Sequence, residues 1–167
     1  SIVVLELSSW QLEDIVNYEW SPQVAAFLNL MPDHMNRYAT MAEYGEAKKR
    51  IFRFQNTEDI FVANHDDPYV RMAAREAPGA VDFFYTDSFP EDRNEGTFKD
   101  EEGFIRASAF GGKKLFGASD ISLPGRHNIA NVIAATAVLG AIYKHRSAPR
   151  VVFSPEKLRQ AFATYKP

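Results

Sequence analysis

The sequence has no cysteine among its 167 residues, which excludes disulfides, thiolate metal sites and a cysteine nucleophile and suits a reducing compartment. It also has no excess of basic charge. A formal net charge of -3 and a pI near 5.8 leave no broad cationic field for nucleic acid, so any phosphate site must be built from a few local groups. No apolar run reaches the roughly 18 residues that span a bilayer, and no basic stretch ahead of an apolar one reads as a secretory signal. These absences point to a cytoplasmic protein with neither nucleic acid nor membrane as partner.

Several catalytic motifs are missing too. There is no G-x-S-x-G elbow, no H-E-x-x-H and no C-x-x-C. The phosphate-cradling pattern G-x-x-x-x-G-K-[ST] is absent as well. Gly112-Lys113 is the nearest approach, but Ala107 stands where the first glycine belongs and Lys114 where Ser or Thr belongs. The chain starts inside the apolar run Ile2-Val3-Val4-Leu5 without an initiating Met, so it is expected to be truncated at its start.

What is present suits one globular domain, because 46% hydrophobic residues, including 13 Phe, can fill a sizeable core. Ile2 to Leu7 reads as a strand buried on both faces of a parallel sheet, with polar Glu6, Ser8 and Ser9 at its carboxyl end. Val24 to Leu30 reads as a second strand, closed by Pro32 and followed by Asp33 and His34. Thr40 and Glu43 form a capping-box pattern ahead of a helix carrying Met41, Tyr44, Ala47, Lys48 and Ile51. Asp59–Asn64 and Val81–Tyr85 read as further strands around a helix at Pro68–Glu76. This alternation predicts an α/β fold, a mostly parallel sheet flanked by helices. The charged, Gly-rich stretch from Phe89 to Asp120 predicts a small antiparallel appendage, with Phe104–Ala109 and Phe116 at the end of Lys113–Phe116 in its strands. A long helix follows at Arg126–Tyr143, and a last one starts at Ser154-Pro155-Glu156.

In open α/β sheets ligands gather beyond the carboxyl ends of strands, which brings Glu6, Ser8, Ser9, Asp33 and His34 to one candidate crevice. Carboxylate and imidazole suit a hard cation such as Mg²⁺ that bridges to phosphate; a plain solvated strand end is the alternative. Lys48, beside an apolar stripe, either lays its stem on the core and sends its ammonium to water or is desolvated enough for its neutral amine to react with carbon dioxide. Asn128 and Asn131 share one face of a first helical turn, where they suit an adenine edge; Asn128 suits a helix cap equally. Lys99-Asp100-Glu101-Glu102 reads as a solvated turn without a catalytic part.

Five segments in this order resemble the Mur ligases: Glu6-Leu7-Ser8-Ser9-Trp10-Gln11-Leu12, then Leu28 to Tyr38 with its Pro32-Asp33-His34-Met35-Asn36-Arg37, Tyr44-Gly45-Glu46-Ala47-Lys48, Asn64-His65-Asp66-Asp67, and Gly125-Arg126-His127-Asn128-Ile129-Ala130-Asn131. Nearly the whole chain is covered, residues 1–167 corresponding to a truncated central ATP-binding domain. The form of the first segment is similar to that of the D-glutamate-adding member, and Asn36 stands where the family usually has Asp. The resemblance implies ATP-dependent amide formation in peptidoglycan synthesis, with UDP-N-acetylmuramoyl-L-alanine, D-glutamate, ATP and Mg²⁺ as partners. It implies magnesium at Glu6 and His34, a carbamylated lysine at Lys48, substrate contacts at Ser8, Gln11 and His34, and adenine contacts at Asn128 and Asn131. It further implies a phosphate loop and strand ahead of Ser1, a further domain after Pro167, a monomeric full-length enzyme, and an inactive fragment prone to self-associate. A folylpolyglutamate synthetase and a non-catalytic nucleotide-binding module are the competing readings.

Overall fold

The computed structural model describes residues 2–33, 35–92, 95–145 and 154–165. Six strands form one sheet in sequential order: β1 (Val24–Phe27), β2 (Ile60–Asn64), β3 (Ala80–Phe84), β4 (Thr97–Lys99), β5 (Phe104–Ala107) and β6 (Lys114–Gly117). The first three pair in parallel, with Val24 opposite Ile60 and Ile60 opposite Ala80. β4 joins β3 in parallel through Phe84 and Thr97, and β5 runs antiparallel to both of its neighbours, β4 and β6. The antiparallel part is therefore a continuation of the main sheet rather than an appendage. The sequence reading missed β4, whose three residues are too few to show an alternation.

β2 is buried at all five positions, as its continuous run Ile60-Phe61-Val62-Ala63-Asn64 requires of a strand covered on both faces. Because side chains alternate across a strand, Ile60 and Val62 join one core and Phe61 and Ala63 the other. The first core lies under α4 (Arg126–Lys144), through Val132, Ile133, Ala137 and Ala141, and under Leu158 of α5 (Pro155–Thr164). The second contains Phe27, Phe52 and, from α3 (Pro68–Ala73), Val70 and Ala73.

Two helices on the Lys48 side complete the frame. α2 (Met41–Lys49) is capped by Thr40, whose hydroxyl accepts from Glu43 N at 3.2 Å, while Glu43 reaches back to Ala39 N at 2.9 Å. α1 (Ser9–Ile15) packs against α2 and buries Leu12.

One expectation fails. Residues 2–8 belong to no strand, and Ile2, Val3, Val4 and Leu5 are exposed. A buried parallel strand needs a ladder neighbour on the sheet, yet among the described residues β1 pairs only with β2 and nothing pairs with 2–8. The β-branched composition is present; the partner that would turn it into a buried strand is not among the described elements.

Candidate functional site

Lys48 lies in the last turn of α2, half-buried, with Nζ 5.2 Å from the centre of the Tyr44 ring and 5.8 Å from that of Phe27 at the end of β1. Burial pushes its amine below the usual lysine range, with Asp33 and Tyr38 pulling the other way. Tyr38 and Tyr44 are buried, their ring centres 5.1 Å apart, and with Ala47 they form a small cluster beneath the amine. Gly45 makes room for the Tyr69 ring, since a Cβ there would meet Tyr69 atoms at 2.1 Å. The geometry thus favours the desolvated reading of Lys48 over a freely hydrated ammonium.

Side-chain hydrogen bonds tie the segment leaving β1 to the end of β2 and to the start of α3. Asn64 Nδ2 donates to Leu28 O at 2.9 Å, and Asp67 accepts from Leu30 N at 2.9 Å through Oδ2 and from Val70 N at 2.9 Å through Oδ1. Asp67 therefore caps α3 and holds the segment leaving β1 at the same time. Arg37 pairs with Glu13 of α1 and lies 5.0 Å from the Trp10 ring. Glu13 is held below the usual carboxylate range chiefly by that guanidinium.

Glu6 is exposed in the segment before α1. Ser8 and Gln11 are committed to a capping box: Gln11 N donates to Ser8 Oγ at 3.3 Å, and Gln11 Oε1 accepts from Ser8 N at 2.8 Å. The spacing S-x-x-Q is the sequence signal for this box; it went unread as a cap, and the substrate contacts expected at the two residues are a separate matter. His34 lies outside the described residues, so its candidate metal and substrate roles stay with the sequence. Among the described residues no three acidic or imidazole side chains converge as a ready metal cage. Magnesium needs less than that, since it is commonly held by one or two carboxylates, waters and phosphate oxygens, and Glu6 is an exposed carboxylate of the required hardness.

A cleft of about 530 Å³ opens elsewhere on the sheet's rim. Thr86, Asp87 and Ser88 after β3, Lys99 at the end of β4 with Asp100 and Glu101 after it, and Arg126 and His127 at the start of α4 are among its walls. Gly125 turns the chain into α4 with φ 103°, a backbone conformation that favours glycine. Asn128 donates to Pro124 O at 2.7 Å, tying down the entry to the helix without capping its first amides, and Asn131 is exposed. The cleft's lining includes their neighbours His127, Ile129 and Ala130 rather than the two asparagines. Asp100 corrects the reading of a solvated turn, being buried with Oδ2 2.6 Å from Arg106 Nε.

Comparison with known proteins supplies the decisive observation: the model of the Mur ligase middle domain matches residues 1–139. The chain belongs to this family. A UDP-N-acetylmuramoylalanine--D-glutamate ligase of Alkaliphilus oremlandii is 44% identical over 138 residues, which is 82% of this chain and 29% of that relative. One from Bacillus cereus is 36% identical over 166 residues, 98% of this chain and 35% of the relative. The chain thus spans about a third of the length of these relatives. Among solved structures, MurF from Acinetobacter baumannii superposes with TM-score 0.65 at 16% identity, covering 95% of this chain and 31% of that one. A UDP-N-acetylmuramate:L-alanyl-gamma-D-glutamyl-meso-diaminopimelate ligase from Neisseria meningitides gives 0.62 at 19% identity, covering 92% and 42%. At such identities these Mur ligase structures show the shared middle-domain fold.

Proposed function

We propose that this chain is the central part of a longer, cytoplasmic ligase that joins D-glutamate to UDP-N-acetylmuramoyl-L-alanine at the expense of ATP. The observation that carries the reading is Lys48, a half-buried amine between Phe27 and Tyr44 in a segment shared with D-glutamate ligases. In the proposed reaction an oxygen of the terminal alanine carboxylate attacks the γ-phosphorus of ATP, and the bond to the bridging oxygen of ADP breaks. The D-glutamate nitrogen then attacks the acyl phosphate carbon, inorganic phosphate leaves with the bonding pair, and the nitrogen's proton passes to solvent.

The chain's own residues have separable parts in this. Lys48, once carbamylated, presents an anionic oxygen pair where an ammonium stood; Asp67 and Asn64 hold the segment after β1 in place beside it. Glu6 and His34 are the proposed magnesium donors, and the ion, when bound, supplies positive charge to the phosphoryl oxygens. Ser8 and Gln11 shape the entry to α1 through their cap and so set how the segment carrying Glu6 meets the helix. The cleft at the start of α4 takes the nucleoside end of ATP: its volume lies in the range of small-molecule sites, and its hydroxyls, carboxylates and imidazole suit a ribose and a purine edge.

The free side of β1 and the exposed apolar residues 2–5 are what an additional strand bearing the phosphate loop would cover. The isolated 167 residues are therefore proposed to be inactive. Phosphate release by the longer protein, measured with each substrate omitted in turn, tests the reading: it requires release only when ATP, the UDP-linked substrate and D-glutamate are all present.

A further inference from the structure

We propose that Asp66 is the positioning residue of the nucleoside cleft, its carboxylate shaping the Thr86–Ser88 wall that carries Asp87 to Arg126. The proposal rests on the reading of that cleft as the place of the nucleoside.

The parallel register sets Asn64 opposite Phe84, so the chain leaving β2 at Asp66 runs level with the chain leaving β3 at Thr86. Asp66 N donates to Asn64 Oδ1 at 2.9 Å, which fixes where the carboxylate starts. Asp66 Oδ2 then accepts from Thr86 N at 2.7 Å, Asp87 N at 2.9 Å, Ser88 N at 3.3 Å and Thr86 Oγ1 at 3.2 Å, and Oδ1 accepts from Ser88 Oγ. Three successive backbone amides can meet one oxygen only if the chain curls around it. An ionised carboxylate accepts on both oxygens, whereas an asparagine would offer a donor in place of one of them.

Asp66 does not line the cleft; Thr86, Asp87 and Ser88 do. Its influence on a ligand therefore runs through the loop. The loop's outward group is Asp87, whose Oδ1 meets Arg126 Nη2 at 2.6 Å, joining the wall after β3 to the first residue of α4 along the cleft. That pair is largely exposed, 66% for Asp87 and 90% for Arg126, and is worth little as a fastener by itself. The hydrogen bonds to Asp66 are what give it a fixed place.

The test is an amide-resolved titration of the longer protein with ADP, comparing the unchanged protein with Asp66→Asn, Asp87→Asn and Ser88→Ala. The unchanged protein is expected to bind, with shifts at Asp87, Ser88 and His127. Asp66→Asn is expected to weaken binding at least fivefold and to move the Asp87 and Ser88 amides before ligand is added, leaving β2 and β3 core resonances in place. Asp87→Asn keeps the loop amides near their original positions, because the bonds to Asp66 survive it. Should Asp66→Asn not fold, Ser88→Ala decides: a loss of twofold or more with a displaced Asp87 amide supports the proposal, and unchanged binding overturns it. Equal ADP binding by Asp66→Asn with unmoved loop amides overturns the proposal alone. Absence of ADP binding by the unchanged protein overturns the reading of the cleft, and the proposal falls with it.

Discussion

Lys48 Nζ stands 5.2 Å from the centre of the Tyr44 ring, one turn earlier on the same helix. The i, i+4 spacing puts both on one face of α2, and Phe27 closes the far side at 5.8 Å. The arrangement trades hydration of the ammonium for contact with two rings. The neutral amine, the form that attacks carbon dioxide, is correspondingly more populated than on an exposed lysine.

Labelling follows from this. With ¹³C-bicarbonate at pH about 8.5, between neutrality and the ordinary lysine range, the chain is expected to give one carbamate carbonyl resonance well above those of its other lysines. Lys48→Ala should remove it. Tyr44→Ala should weaken it severalfold by letting water reach the ammonium. A signal that persists in Lys48→Ala would assign the modification elsewhere.

Asp67 caps α3 and holds Leu30 N, so Asp67→Ala removes two charge-assisted bonds at once. A lost cap costs about 1 kcal/mol and a lost bond to a charged group about 1.5 to 3 kcal/mol, giving an expected destabilisation of roughly 2 to 4 kcal/mol in urea unfolding. Asp67→Asn, which keeps an acceptor, should lose less than half of that.

Acid should unfasten the cleft before it unfolds the core. Burial works to raise the Asp66 carboxyl, but the bonds from Asp87 N, Ser88 Oγ, Thr86 N and Ser88 N prevail and hold it below its ordinary value of 3.8. A depressed folded-state pKa means that the group's stabilisation is complete above the unfolded value and lost as pH falls through the folded one. The Asp87 and Ser88 amides are therefore expected to shift below pH about 4, with a midpoint under that of a free aspartate. In Asp66→Asn this acid transition should be absent.

Ser8 allows a cap to be separated from a ligand contact. Ser8→Ala should cost about 1 kcal/mol through the loss of the α1 cap, while Ser8→Asp, a good cap itself, should restore stability. If the UDP-linked substrate approaches this position, Ser8→Asp in the longer protein should still raise KM for that anion, by repulsion. Equal KM for Ser8→Asp and the unchanged enzyme would confine Ser8 to capping.

The parallel half of the fold was legible because its signals are local. Residues 60–63 are uniformly apolar, Pro68 and Asp67 mark the start of α3, and the period of Ile129, Val132, Ile133 and Ala137 marks α4. Ile2–Leu7 misled for the same reason: its composition is that of a strand, but pairing is a property of neighbours. Lys48 was ambiguous until Phe27, distant in sequence, was seen against it. The cleft was the least legible feature. Its walls come from three separate segments, and Asp66, whose carboxylate organises one of them, looks in sequence like one more polar residue after a strand.

The central claim is that these residues belong to an enzyme activating a carboxylate with ATP for attack by D-glutamate. Its most direct measurement is phosphate release by the longer protein with UDP-N-acetylmuramoyl-L-alanine labelled with ¹⁸O in its carboxylate. The account predicts one ¹⁸O atom in each phosphate released, strict dependence on D-glutamate, and loss of release in Lys48→Ala. Phosphate free of the label, or released at the same rate without D-glutamate, would contradict it.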